Sequence, residues 1–209
     1  MKIAAIIPVK TFSKAKTRLN LPSTQKEDLC RIMLEEVVET ISASKIFEKI
    51  IIVSKDETAL SLTKKYGTLE IFDHEESGVN HAVSLADKYL EQNGYEASIV
   101  FPQDIPFMQT EDIEHLISFQ KFPKTVLVVP SRRFDGTNAL LRTPVNLMET
   151  HYDEDSYKIH LDVGKSLTQH TSLVLLRRIM LDVDNLEDLK FLLLQKEKPT
   201  INNKINKIS

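Results

Sequence analysis

Three sets of charged side chains are of types and in positions that suit phosphate chemistry. Asp104 closes the run Ser98-Ile99-Val100-Phe101-Pro102-Gln103-Asp104 and is followed by Ile105-Pro106. Such an apolar run suits a strand buried on both faces, and ligands of open α/β sheets bind beyond the carboxyl ends of these strands. A carboxylate there can hold a metal on a phosphate, or it can cap a helix near Thr110. Asp182 and Asp184 stand two residues apart. In extended chain that spacing puts both acids on one face, so Asp184 can join a metal site, serve as an N-cap, or do both. The matching positive charge comes early, in Lys10, Lys14, Lys16 and Arg18, with no acid among them. Arg18 offers a fork of donors and the lysines act as point charges, which suits an anion with several oxygens. A solvated basic loop is the alternative. The loop lacks glycine, so it is neither a Walker loop nor a dinucleotide fingerprint.

Uncharged groups supply the rest of a candidate pocket. Gly78 permits close backbone approach at a helix mouth, where Asn80 offers both a donor and an acceptor for a base. The turn Asp135-Gly136 hands over to Thr137 and Asn138, polar groups at the start of an apolar strand. Ser156 is a candidate cap for a helix that Gly164 would stop. Asp153, Glu154 and Asp155 precede it, and three acids argue against an open phosphate site unless a cation sits with them.

The elements that must position these residues alternate. Apolar strands are predicted at 3–9, 49–54, 70–73, 98–104, 125–130 and 173–176, with a further one beginning at Thr137. Between them, helical periodicity runs from Leu29 to Ile41, with Thr24 and Glu27 at capping-box spacing, and from Val79 to Leu90. A polar helix is read from Asp56 to Tyr66, and others after Thr110, Ser156 and Asp184. The pattern predicts a three-layer α/β/α sandwich with a mostly parallel mixed sheet. One domain is read over 1–195, and the lysine- and asparagine-rich 196–209 as a loose tail. A chain of 209 residues, 42% apolar and 27% charged, can bury one full core. Its formal charge of −3 attracts neither nucleic acid nor an anionic membrane. The single cysteine, Cys30, excludes an internal disulfide and lies inside a predicted amphipathic helix, where it is read as buried apolar filler. With neither a signal peptide nor a membrane-length apolar run in view, the chain reads as cytoplasmic.

Five stretches, in order along nearly the whole chain, resemble the guanylyltransferase family that makes the phospho-lactyl or phosphoenolpyruvyl end of coenzyme F-420. Ile7 to Lys10 with Ala15 to Leu19 looks like that family's phosphate loop, and Gly78-Val79-Asn80 is similar to its Gly-Leu-Asn helix mouth. Asp104-Ile105-Pro106 looks like its Asp-x-Pro metal motif, Gly136 to Leu140 matches its Gly-Thr-Asn-Ala-Leu turn, and Asp182 to Leu189 resembles its acidic close. The resemblance implies a GT-A-like nucleotidyltransferase fold, with GTP as donor and a three-carbon phospho-acid as acceptor. It implies Mg2+ held by Asp104 with a carboxylate of the Asp182/Asp184 pair, and Lys10, Lys16 and Arg18 on the triphosphate. It also implies that Thr137, Asp153 and Ser156 hold the acceptor, with Asn138 beside them. One departure stands out: the family's aromatic-Gly-x-x-Ser reads Tyr152-Asp153-Glu154-Asp155-Ser156 here, which adds negative charge beside an anionic acceptor. An attacking phosphate oxygen is ionised near neutral pH and needs no general base, so His160 is read as structural. The alternatives are another nucleotidyltransferase with a molybdopterin or sugar-phosphate acceptor, whose usual Leu-x-Gly-Gly opening is absent, and a non-catalytic nucleotide-binding regulator. Oligomeric state is open, with a homodimer as one alternative.

Overall fold

In the computed structural model, which describes residues 1–152, 155–194 and 198–206, alternation within the first strand sets the layering. In β1 (Ile3–Val9) the side chains of Ile3, Ala5, Ile7 and Val9 enter one apolar core, and Ala4 and Ile6 enter the other. Both faces must therefore be covered, and helices cover them. The remaining strands are β2 (Lys49–Ser54), β3 (Leu69–Phe72), β4 (Ala97–Val100), β5 (Thr125–Pro130), β6 (Thr137–Thr143) and β7 (Thr171–Leu173). They form one sheet in the order β3-β2-β1-β4-β6-β5-β7. β6 runs antiparallel to β4 and β5, and the other pairs are parallel. The cause is local, because the turn through Asp135-Gly136 is long enough for a hairpin but too short for a parallel crossover.

The helices are α1 (Ser23–Ser44), α2 (Glu57–Thr63), α3 (Val79–Gln92), α4 (Thr110–Ser118), α5 (Ser156–Leu167), α6 (Leu186–Leu194) and α7 (Pro199–Ile205). α1, α2, α4, α6 and α7 bury side chains in the first core. α3 and α5 cover the second. Chain order runs outward from β1 through β2 to β3 on one side, and the chain then crosses to β4 on the other side of β1, so the switch point lies between β1 and β4. The expected α/β sandwich with a mixed sheet is thus the fold, and its ligand crevice is at that switch point.

Several local expectations need correction. The Thr24/Glu27 capping box does not form, since α1 starts at Ser23 behind Pro22 with no side-chain cap. Gln109 and Asp112 cap α4 reciprocally, and Thr110 is already its first helical residue. Gly164 does not stop α5, which continues to Leu167. A Cβ at Gly164 would lie 2.8 Å from Thr171 Cγ2 and 3.1 Å from Val126 Cγ1, so glycine is what lets α5 lie close against β5 and β7. The late strand covers Thr171–Leu173 instead of 173–176. The segment 196–209, expected to be loose, contains α7, whose Ile201 and Ile205 are buried. Their spacing of four places both on one helical face, a signal hidden by the surrounding Lys and Asn residues. Lys198 ties the segment down by donating to the Met108 carbonyl (2.8 Å) and pairing with Glu36 (3.0 Å). Among the described residues no helix is long and apolar enough to cross a membrane.

Candidate active site

β4 ends at Val100, opposite Ile6, and β1 runs on to Val9 in the same direction, so the loops that follow the two strands share one crevice. The loop after β1 is held by acids from two other elements. Asp56, which caps α2, accepts from the Phe12 amide at 2.9 Å. Glu76 accepts from the Thr11 amide at 2.8 Å and from Lys14 Nζ at 2.5 Å. Burial alone would raise the Glu76 carboxyl, but the bonds from Lys14 and Thr11 outweigh it and bring it down to about 2. Buried Asp73 accepts from the amides of Glu75 and Glu76, shaping the turn that leads to Gly78 at φ +102° and the start of α3.

Lys16 is the centre of the charged half. Its φ of +53° is costly for a residue with a side chain, about 1–3 kcal/mol, and persists only where the surroundings fix it. The fixing partners are Asp104, with which Nζ forms a short ion pair, and Asp184 Oδ1 at 2.8 Å. Burial alone would lower the Lys16 ammonium, yet Asp104 and Asp184 hold it above its ordinary value. Reciprocally, burial would raise Asp184 and the charge and hydrogen bond of Lys16 bring it down. Asp182 goes the other way. Its burial and the negative charge of Asp104 push it up to about 6.

The 177–185 segment reaches this point because four contacts pin it. Arg178 grips Asp112 at 2.7 and 2.8 Å. The Asn138 amide donates to the Ile179 carbonyl at 3.0 Å, the Arg132 amide to the Met180 carbonyl at 2.8 Å, and the Val183 amide to the Asp104 carbonyl at 3.0 Å. Asp184 is not the cap of α6. Asn185 Oδ1 caps it, accepting from the amides of Glu187 (2.9 Å) and Asp188 (3.1 Å). The Asp184 carboxylate is therefore left for the site.

A cavity of about 560 Å³ opens beside these groups. Lys10, Lys14 and Lys16 line one side, Gly78, Asn80 and Asp104 another, and Thr137 and Tyr152 reach in from β6 and the chain before α5. Arg18 is exposed outside that lining, although its charge acts on Asp184. Asn80 Oδ1 accepts from the Tyr152 amide at 2.7 Å, so it ties α3 to the far wall and leaves only its amide group for a ligand. Asn138, read as an acceptor contact, faces the acidic segment and donates to Asp182 Oδ1 at 3.1 Å. Thr137 and Ser156 meet, with Ser156 Oγ 3.1 Å from Thr137 Oγ1. Asp153 lies outside the described residues. Sequence reading missed Glu76 and Asp56 as holders of the basic loop, because their partners there are remote in the chain and no local spacing marks them. It also missed His160 as the neighbour of Thr137, since a lone histidine on a helix has no spacing to signal it.

The fit to a magnesium ion can be judged from the donor set. Among the described residues no three His, Cys, Asp or Glu side chains are gathered closely enough to hold a metal alone. Magnesium asks for less, since it is usually held by one or two carboxylates plus substrate phosphates and water. Asp104 and Asp184 already share one cation, the Lys16 ammonium, so their oxygens fit that need.

The fold is that of the nucleotidyltransferases. A Desulfovibrio desulfuricans G20 structure assigned to the nucleotide-diphospho-sugar transferases superposes with a TM-score of 0.76 at 13% identity, over 99% of this chain and 95% of that one. The 4-diphosphocytidyl-2C-methyl-D-erythritol synthase of Anaerococcus prevotii superposes at 0.62 and 13%, over 91% and 95%. Within that class the chain belongs to the family described as "Guanylyl transferase CofC like", which it matches over residues 3–209. Relatives include the 2-phospho-L-lactate guanylyltransferase of Methanobrevibacter smithii, 32% identical over 90% of this chain and 82% of that protein. The phosphoenolpyruvate guanylyltransferase of Conexibacter woesei is 26% identical over 90% and 86%. The 3-phospho-D-glycerate guanylyltransferase of Colwellia psychrerythraea is 27% identical over 100% and 98%. The acceptors differ among these relatives while the transferred group does not.

Proposed function

We propose that this protein transfers GMP from GTP to a phosphorylated three-carbon acid and releases pyrophosphate, as in the assembly of coenzyme F-420. The observation that carries this reading is the Lys16 ammonium set between Asp104 and Asp184 at the cavity wall, with the Thr137 and Ser156 hydroxyls beyond it. A phosphate oxygen of the acceptor attacks the α-phosphorus of GTP. The new P–O bond forms as the bond to the β-phosphate breaks, and its electron pair leaves on pyrophosphate. Two polyanions must be brought together, so the work is neutralisation and in-line alignment.

Lys10 and Lys16 take triphosphate oxygens, with Arg18 adding positive charge at the entrance. The Gly78 turn and the Asn80 amide face the nucleoside. Thr137 and Ser156 hold the anionic end of the acceptor. Asn138 acts indirectly, by placing the acidic segment. Magnesium bound by Asp104 and Asp184, with Asp182 beside them, would supply further neutralisation of the phosphates. GTP and small phospho-acids are cytoplasmic metabolites, and the cytoplasm is accordingly the compartment proposed. The test is pyrophosphate release on mixing the protein with Mg2+, each nucleoside triphosphate in turn, and 2-phospho-L-lactate, phosphoenolpyruvate or 3-phospho-D-glycerate. Release is expected with GTP and one of the three acids; silence in every pairing would return the protein to the class of nucleotide-binding regulators.

A further inference from the structure

His160, on α5, is fully buried, and the reaction above gives it no proton to carry. Both ring nitrogens are nonetheless engaged. The backbone amide of His151 lies 2.8 Å from Nε2. An N–H only donates, so Nε2 is the lone-pair nitrogen, and a neutral ring must carry its hydrogen on Nδ1. Burial, together with His151 and Arg142, holds the imidazole down at about 3, which keeps it neutral at working pH. Nδ1 lies 3.0 Å from Thr137 Oγ1, so the threonine oxygen is the acceptor there.

The neighbouring hydroxyl then has little choice. Ser156 Oγ is 3.1 Å from the same Thr137 Oγ1, and one of the two hydroxyls donates to the other. Together they own two O–H groups. One is used between them, and one remains with no acceptor among the described residues. At 6% and 2% exposure, neither residue can rely on bulk water for it. Thr137 lines the cavity. A phosphate or carboxylate is acceptor-only, so a remaining O–H meets it favourably where a lone pair would repel it.

We infer that His160 is a positioning residue for acceptor binding: its Nδ1–H fixes the Thr137 oxygen as an acceptor and so commits the Thr137–Ser156 pair to donate its remaining hydrogen to the anionic end of the phospho-acid. The inference rests on the proposed function and names a residue that the reaction uses only through its neighbours. It also gives the ring a second duty, since the His151 amide bond holds the chain that leads to α5.

The variants His160→Asn and His160→Gln separate the two duties. An asparagine side chain places an amide donor where Nδ1 stood and abandons the His151 amide, whereas the longer glutamine side chain does the reverse. Steady-state kinetics of the full chain should show the acceptor KM rising about tenfold for His160→Gln and staying within about threefold for His160→Asn, with the GTP KM unchanged in both. In a Thr137→Val background the His160→Gln effect should vanish. Long-range proton–nitrogen NMR of the unliganded protein should show His160 protonated on Nδ1. Equal rises in both variants, additivity with Thr137→Val, or a hydrogen on Nε2 would each overturn the assignment while leaving guanylyl transfer intact. A wild-type protein that turns over none of the three acids would remove the proposed function, and the acceptor role of His160 with it.

Discussion

The two halves of the crevice are built from opposite materials. On the side proposed for the triphosphate the groups are charged: Lys14 is paired with Glu76, and Lys16 with Asp104 and Asp184. On the side proposed for the acceptor Thr137, Ser156 and His160 are neutral, buried and joined by hydrogen bonds of 3.0 and 3.1 Å. Lys14 and Lys16 of the charged half are already paired with acids, so phosphates that reach them must exchange partners with existing ion pairs. The neutral half holds one hydrogen in reserve and need not rearrange. In the proposed reaction preorganisation is therefore concentrated on the acceptor side, and ion exchange on the triphosphate side. That division suits a family whose named acceptors vary around a constant guanylyl transfer.

This contrast can be broken at several points. Asp104→Asn should give the largest effect, lowering turnover at least about a hundredfold, as for loss of a transition-state electrostatic contact, with the melting curve little changed. Near-normal turnover would mean that Asp104 serves only the local chain turn. Next, Lys16→Met leaves Asp104 and Asp184 facing one another without their cation. Solvent reaches Asp184, so a loss of about 1–2 kcal/mol is expected, or roughly 2–8 °C in Tm for a chain of this length. Millimolar Mg2+ should restore much of that loss if the two carboxylates can share an ion, and a Tm indifferent to Mg2+ would count against the metal site.

A third measurement tests the neutral half through pH. The His160 ring titrates near 3 in the fold instead of near 6.5. Below pH 6.5 the unfolded chain binds a proton that the folded chain refuses, so the contribution is full above 6.5 and is lost as pH falls toward 3. Asp182, raised to about 6, acts in the opposite sense, gaining stability as pH falls from about 6 toward its ordinary value of 3.8. Comparing urea midpoints of wild type and His160→Asn cancels the Asp182 part. The wild type should lose more stability than the variant between about pH 7 and pH 5, and parallel curves would place a charged ring in the fold. The smallest effect is expected from Glu76→Gln, which loosens the loop held through Thr11 and Lys14. Lys14 is well exposed, so the GTP KM should rise only about two- to fivefold with kcat unchanged.

Much of this site could be read locally. Asp104 in the turn just past a buried strand, the lysines after β1, the Asp182/Asp184 pair and the Asp-Gly turn before Thr137 are each marked by a short pattern. Each does come to the crevice or beside it. The readings that the structure altered share a cause. Asn138 and Asn80 are polar groups near the pocket, and nearness in sequence to a motif could not say whether a ligand or the protein would satisfy each of their atoms. Asn138 is taken by Ile179 and Asp182, and Asn80 by Tyr152, across 41, 44 and 72 residues of chain. The tail failed similarly, since the two isoleucines of α7 gain meaning only from the α1 surface that receives them.

By itself the sequence determined the alternation of strands and helices, because period and burial on two faces are written residue by residue. It also determined which charges gather at strand ends, because strands running in one direction deliver their carboxyl-end residues to one edge. Only the tertiary structure decided that one lysine sits between two acids, and that a buried imidazole sets the direction of a pair of hydroxyls. Those are matters of ångström distance between residues far apart in the chain, and a hydrogen bond has a direction only when both of its ends are in place.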